Sequence, residues 1–286
     1  MSMIGQVIAN AVVLGASLAL LSVGFTLAYG VMHVVNFAHG AIYMMGAYGV
    51  FILSQEMGLN FGLGLALTIL FVAALAPLLH FLLFRHVYGR FMDSLMVTIG
   101  LTLVIQGLMQ LAMGPEHRVV RSYLGTVLHI GGVAFTAERA VVVVAALVSL
   151  AAVYFFVVRT RLGLAIRAAE QDPEVAGLHG VNLDVVSIIV LAISFALAAA
   201  AGAIMSPLIF IDPYIGEDAI LLAFAVVILG GLGSVAGSLL AAMALGLTLS
   251  IAQTYLSLDA GRLIFFGLVG AILLVRPRGL MGRATD

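Results

Sequence analysis

Residues 159–184 read RTRLGLAIRAAEQDPEVAGLHGVNLD and hold seven charged side chains, in a chain with 12 basic and 13 acidic residues in all. The second half of this stretch has the signals of a short, bounded helix. Asp172 is a capping residue, Pro173 follows where a missing N–H costs nothing, and Glu174 falls at the positive end of the helix dipole. Gly180 suits the left-handed residue that ends a helix. Val175, Leu178 and His179, three and four residues apart, share one side. A helix this short is marginal alone in water, so it needs something outside a bilayer to pack against. The alternative is an ordinary loop whose arginines only fix topology.

What surrounds this stretch decides the class. Of 286 residues, 64% are hydrophobic and 9% charged, and the mean hydropathy is +1.25. Soluble domains carry about 25% charged residues. A large apolar core does not explain that gap, so the chain reads as an integral membrane protein. A net charge of −1 gives no support for nucleic-acid binding. The absence of cysteine removes disulfides, thiol chemistry and cysteine-ligated metals. Residues 1–55 contain no charge, and neither the basic region nor the cleavage site of a secretory signal is evident. The first segment is therefore expected to stay as a span.

Charged and turn-rich stretches divide the chain into spans near 7–30, 37–54, 61–84, 94–113, 140–158, 185–206, 219–231, 236–256 and 262–275. The seventh is short for a crossing, and with the Gly-rich turn after it reads as a half-helix that re-enters. The expected fold is all-α: one domain over 1–286, a polytopic membrane bundle of eight or nine segments with Gly-broken or half helices. Arg85, Arg90, Arg159, Arg161, Arg167, Arg276, Arg278 and Arg283 fall on one side. Arg118, Arg121, Arg139 and Arg262 fall on the other. That excess puts the 159–184 loop and the C-terminus in the cytoplasm and the N-terminus outside. Residues 207–218 become an external acidic stretch, with Asp218 as cap of the next helix or, alternatively, part of a docking surface.

The first two spans meet at residues 30–40, GVMHVVNFAHG. His33, Asn36 and His39 are costly against lipid, so they are expected to face other helices or an aqueous path. Interhelical hydrogen bonding and a pathway role both fit, and Gly40, Gly46 and Gly49 permit close backbone approach. Residues 228–237, ILGGLGSVAG, contain a G-x-G-x-x-A dinucleotide pattern at Gly231, Gly233 and Ala236. Its membrane-grade flanks rule that reading out, and Gly233 with Gly237 reads instead as a small-xxx-small packing pair beside Gly230. The spans contain no internal Asp, Glu, Lys or Arg, and His33 and His39, near one end of two spans, make a poor proton relay. No P-loop, metal-hydrolase motif or other metal or cofactor signature is legible. Energy for uphill transport would have to come from another polypeptide, received at residues 159–184.

Three stretches resemble one family. Asn36-Phe37-Ala38-His39-Gly40 followed by Tyr43-Met44 is similar to an element near the start of LivH-type permeases, the membrane subunits of bacterial ABC importers for branched-chain amino acids. Arg167-Ala168 through Asp172, Ala176 and Gly180-Val181-Asn182 resembles the family's cytoplasmic loop. Within it Glu174-Val175-Ala176 with Gly180 is similar to the E-A-A-x-x-x-G pattern of binding-protein-dependent permeases, although Val175 departs from the central Ala. The third match is residues 226–237 together with Arg276-Pro277-Arg278-Gly279-Leu280.

The resemblance implies a permease with no enzymatic activity and no cofactor. Its partners would be two cytoplasmic ABC ATPase subunits, a second homologous LivM-like permease, a periplasmic or lipid-anchored solute-binding protein, and membrane lipid. Arg167, Glu170, Asp172, Glu174, Val175, Ala176, Leu178 and Gly180 would form the coupling contact with one ATPase. His33, Asn36, His39 and Gly40 would belong to the translocation pathway, and Gly230, Gly231, Gly233 and Gly237 to helix packing. Leucine, isoleucine and valine are the family default, with urea, amides or other amino acids as alternatives. A passive channel for a small neutral solute is the rival from another class; the absent intramembrane carboxylates disfavour an ion-coupled carrier.

Overall fold

The computed structural model describes residues 3–121, 123–130, 133–276 and 279–281. Pro277, Arg278 and Arg283, which the sequence assigns to a motif or to topology, lie outside them. Each apolar run becomes a helix: α1 (Met3–Met32), α2 (His39–Phe51), α3 (Phe61–Leu82), α4 (Phe91–Met113) and α5 (Ala137–Arg159). After the polar stretch come α8 (Leu183–Met205), α9 (Ile215–Gly230), α10 (Val235–Tyr255) and α11 (Leu258–Val275). The polar stretch itself folds into α6 (Arg161–Gln171) and α7 (Pro173–Leu178). A π turn over Ile52–Glu56 prolongs α2, and a 3-10 turn over Phe84–His86 follows α3. One antiparallel hairpin, β1 (Val127–Ile130) with β2 (Val133–Thr136), interrupts an otherwise helical protein.

Short polar residues set the helix starts. Asn60, Thr160, Asp172, Asn182, Ser234 and Ser257 each turn a side-chain oxygen onto an N–H of the following first turn. Among the described residues six helices are long and apolar enough to cross a membrane: α1, α3 with its 3-10 turn, α4, α5, α8 and α10. The 16 residues of α9 reach about 24 Å, less than a hydrocarbon core of about 30 Å.

α1 runs through the centre, against α10, α8, α5 and α9, while α2 packs on α8, α9 and α3. In the absence of a hydrophobic driving force between helices in lipid, close packing holds such a bundle together. The contacts are accordingly made by glycines. A Cβ at Gly46 would stand 2.6 Å from Ala199 Cα, one at Gly202 2.8 Å from Tyr43 C, and one at Gly246 2.6 Å from Gly15 N. Hydroxyls add fixed points: Thr26 and Ser238 lie 2.7 Å apart, and Ser250 Oγ donates to Val7 O (2.7 Å). α4 and α5 are peripheral, with most of their apolar surface turned outward.

The structure departs from the sequence reading in four places. α6 was not expected as a helix; its Gly163, Ile166 and Ala169, three residues apart, are buried and its arginines exposed. Gly233 lies in the turn between α9 and α10 at φ 83°, in open space, and Gly230 instead meets Gly237, where a Cβ would stand 2.5 Å from Gly237 C. Asp218 does not cap α9: it sits in the first turn and pairs with Arg262 of α11 at 2.6 Å. His39 opens α2 as expected, but deep in the bundle and not at its rim. Its ring lies beside Leu21, about 16 Å along α1 from Met32 at 1.5 Å per residue.

Gly202→Leu should overpack the α2–α8 contact and lower stability by about 1–3 kcal/mol. Gly100→Ala, on an open face of α4, should leave stability unchanged or raise it by about 0.5–1 kcal/mol. Unfolding of the purified protein in detergent micelles separates the two.

Candidate functional site

The exposed end of the bundle carries α6 and α7. Asp172 Oδ1 accepts from Val175 N (3.0 Å) and Pro173 opens the helix. At the other end Val181 N donates to Ala176 O (3.1 Å) and Gly180 N to Gly177 O (3.0 Å), with Gly180 at φ 85°. This paired closure around a left-handed residue is a Schellman motif, and it satisfies carbonyls that α7 would otherwise leave open. His179 Nδ1 donates to Val175 O (2.9 Å). Ala176 is covered by the chain's own atoms, so its small size serves the fit of α7 to the permease body. Val175 and Leu178 point away: Leu178 is 86% exposed. Arg167 and Glu174 are also exposed, and Glu170 reaches back toward Gly30 at the end of α1.

Beside α6 a cleft of about 460 Å³ brings together His33, Arg167, Glu170 and the turn containing Gly233. His33 ends α1 at φ 51°, a left-handed conformation uncommon outside glycine. A second latch ties this end together. Tyr88 O–H donates to His80 Nδ1 (2.8 Å), and His80 Nε2–H donates to Asp184 Oδ1 (3.0 Å) in the first turn of α8. Burial pushes the Tyr88 phenol up to about 12, so it remains a donor. The α3–α4 connection is thus linked through His80 of α3 to the first turn of α8.

Asn36, His39 and Gly40 stand apart from His33. Residues 33–38 are not helical, and Val34, Val35, Asn36 and Ala38 are buried. Thr98 of α4 supplies one missing partner: its Oγ1 accepts from Phe37 N (3.2 Å), while its own proton goes to Ser94 O (2.7 Å). His39 Nε2–H donates to Leu21 O (2.9 Å), which leaves Nδ1 as acceptor toward Ser194 Oγ (3.5 Å). The Asn36 amide is buried with no partner for either atom among the described residues. Gly40 abuts Gly216 at the start of α9, and a Cβ there would stand 2.9 Å from Ile220 Cβ. At the far end of α9, Gly231 turns the chain at φ 101°. Leu280 N and Met281 N then donate to Leu229 O (2.7 Å) and Gly230 O (3.0 Å). The two separated sequence stretches, 226–237 and the C-terminal tail, are in contact.

The family model for "Branched-chain amino acid transport system / permease component" matches residues 7–275. The chain belongs to that permease family. Relatives include the high-affinity branched-chain amino acid transport system permease protein LivH of Escherichia coli K12, 30% identical over 96% of this permease and 94% of that protein. BraD of Pseudomonas aeruginosa is 28% identical over 97% and 95%. Among solved structures, PsaBC from Streptococcus pneumoniae in complex with Fab has the same fold at TM-score 0.50 and 13% identity, covering 96% of this permease and 91% of that chain. The protein is thus a multi-pass, non-catalytic permease component of a branched-chain amino acid ABC transport system.

Two groups escaped the sequence reading. His80 and Tyr88 lie far from Asp184 in sequence, and nothing local pairs them. Ser94, Thr98, Thr102, Gln106 and Gln110 do leave a trace, since their four-residue spacing draws a polar stripe along α4.

Asp172→Ala should cost about 1 kcal/mol of α7 stability. Gly180→Ala should cost about 1–2 kcal/mol through its left-handed backbone. Hydrogen exchange should speed up at Val175 N–H in the first variant and at Val181 N–H in the second, with the membrane helices unchanged.

Proposed function

We propose that this permease carries leucine, isoleucine and valine across a bacterial cytoplasmic membrane by alternating access, driven by separate ATPases. Its nine apolar segments would give eight or nine crossings, with the N-terminus outside and the C-terminus in the cytoplasm. Two ATPases, a homologous permease (LivM-like or a second copy) and a periplasmic or lipid-anchored binding protein would complete the importer. The relatives' names support the substrate class.

One observation carries the coupling role. α7 is fixed at both termini, yet presents Val175 and Leu178 outward at the arginine-rich end. An exposed leucine on a polar, bounded helix suits an apolar socket on a cytoplasmic partner. Such a partner would push on α7, and the push would pass through α6, on which α7 packs, into α5, α1 and α8. Asn36 is the pathway residue this reading favours, because a buried unpaired amide costs about 1–3 kcal/mol without some compensating role.

Leu178→Asp in the reconstituted complex tests the coupling. Loss of an apolar anchor of about 2 kcal/mol weakens such a contact roughly thirtyfold. Labelled leucine uptake should fall accordingly while the isolated permease keeps its stability. Unchanged uptake would remove α7 from the coupling role, and uptake of urea in place of leucine would overturn the substrate class.

A further inference from the structure

A groove of about 250 Å³ lies between α2, α4 and α9, away from the α6–α7 end. Its walls are apolar: Phe37, Ile99, Leu103, Ile220 and Leu221. Thr102, Gln106 and Glu217 interrupt them. Gln106, in the middle of α4 and 5% exposed, donates from Nε2 to Glu217 Oε1 (3.0 Å). Glu217 sits in the first turn of α9 and faces the groove.

The first-turn dipole explains an acidic residue at the start of α9. It does not explain the glutamine held opposite it in an apolar span, where polar side chains are costly. Glu217 is exposed, so its charge is open to a partner from outside the chain. Asp218, the next residue, is neutralised by Arg262 at 2.6 Å, whereas no cation pairs with Glu217 among the described residues. The hydroxyls that precede Gln106 along α4 are already committed: Thr98 Oγ1 donates to Ser94 O (2.7 Å) and Thr102 Oγ1 to Thr98 O (2.8 Å). Gln110, the last residue of the stripe, accepts from Tyr214 O–H (3.2 Å), so within the groove the polar capacity falls to the Gln106–Glu217 pair.

We infer that this groove is a solute subsite within the permease, in which Glu217 receives an ammonium group and the aliphatic walls receive a compact apolar side chain. This rests on the transport reading above and names the part of the solute that the membrane subunit recognises. The volume suits one small solute, since sites for drug-sized ligands run about 300–1,000 Å³. An ammonium held by a carboxylate makes a charge-assisted hydrogen bond, stronger than a neutral one. Gln106 fixes the carboxylate's orientation and is a positioning residue. Urea, lacking a cation, gains nothing from Glu217.

Labelled leucine binding to the purified permease–ATPase complex, without binding protein, tests the assignment. 3-Methylbutylamine, which keeps the ammonium and the side chain, should compete; 4-methylpentanoate, which keeps the carboxylate and the side chain but lacks the ammonium, should not. Glu217→Gln should weaken leucine binding roughly tenfold or more, and Gln106→Leu should weaken it less, with ATPase subunits still co-purifying in both. Equal competition by the two analogues, unaltered binding in Glu217→Gln, or uptake without any measurable binding would each overturn the subsite. These outcomes do not touch the transport reading. A wild-type complex with its binding protein that takes up no amino acid would overturn that reading, and the subsite with it.

Discussion

Hydrocarbon offers no hydrogen bonds, so every backbone N–H and C=O at membrane depth must find its partner within the protein. Straight helices meet this demand locally. This chain breaks its helices in two places inside the bundle and meets it with particular residues. Thr98 Oγ1 accepts from the N–H of Phe37, which helps residues 33–38 run non-helically and lets α2 begin beside Leu21. The tail residues Leu280 and Met281 serve Leu229 and Gly230, which lets α9 stop short. Both breaks bring glycines into contact, Gly40 on Gly216 and Gly230 on Gly237. Removing the partner at either break would expose unsatisfied backbone where no water can replace it.

The same solvent explains why the working parts divide between ends. In the described apolar helices the charged side chains lie within five residues of an end. The other polar groups buried inside are hydroxyls, amides and the imidazoles of His39 and His80. A bundle of this kind has no internal source of energy, so on the proposed mechanism force must enter through a polar end. On that mechanism α7 would receive it: the helix is closed by Asp172 and Gly180, seated through Ala176, and joined through Asn182 to α8. The Tyr88–His80–Asp184 chain binds the start of α8 to the α3–α4 connection, so movement of α7 would be shared by two helices.

Much of this was legible in the sequence, for a physical reason. Apolar runs bounded by arginines and turn residues leave little choice but helix, and each run proposed from residues 7 to 275 contains one. The α7 boundaries were equally legible, because caps and left-handed glycines act locally. The depth of His39 was not, since it depends on Thr98, remote in sequence. α6 was hidden because its buried residues are small, with Gly163 and Ala169 flanking Ile166. Gly233 misled because its spacing to Gly237 resembles a packing motif, although its turn needs a positive φ. The Gln106–Glu217 pairing joins residues from different helices and has no local signature beyond the stripe on α4.

The chain has no cysteine, so Leu178→Cys introduces a single thiol at the outward face of α7. Labelling with a membrane-impermeant maleimide in sealed vesicles of either orientation tests the central claim that the motor contact lies on the cytoplasmic side. The expected result is labelling only in inside-out vesicles, with protection when the ATPase subunits are bound. Labelling from the external side, or none in either orientation after the ATPases are stripped, would contradict it.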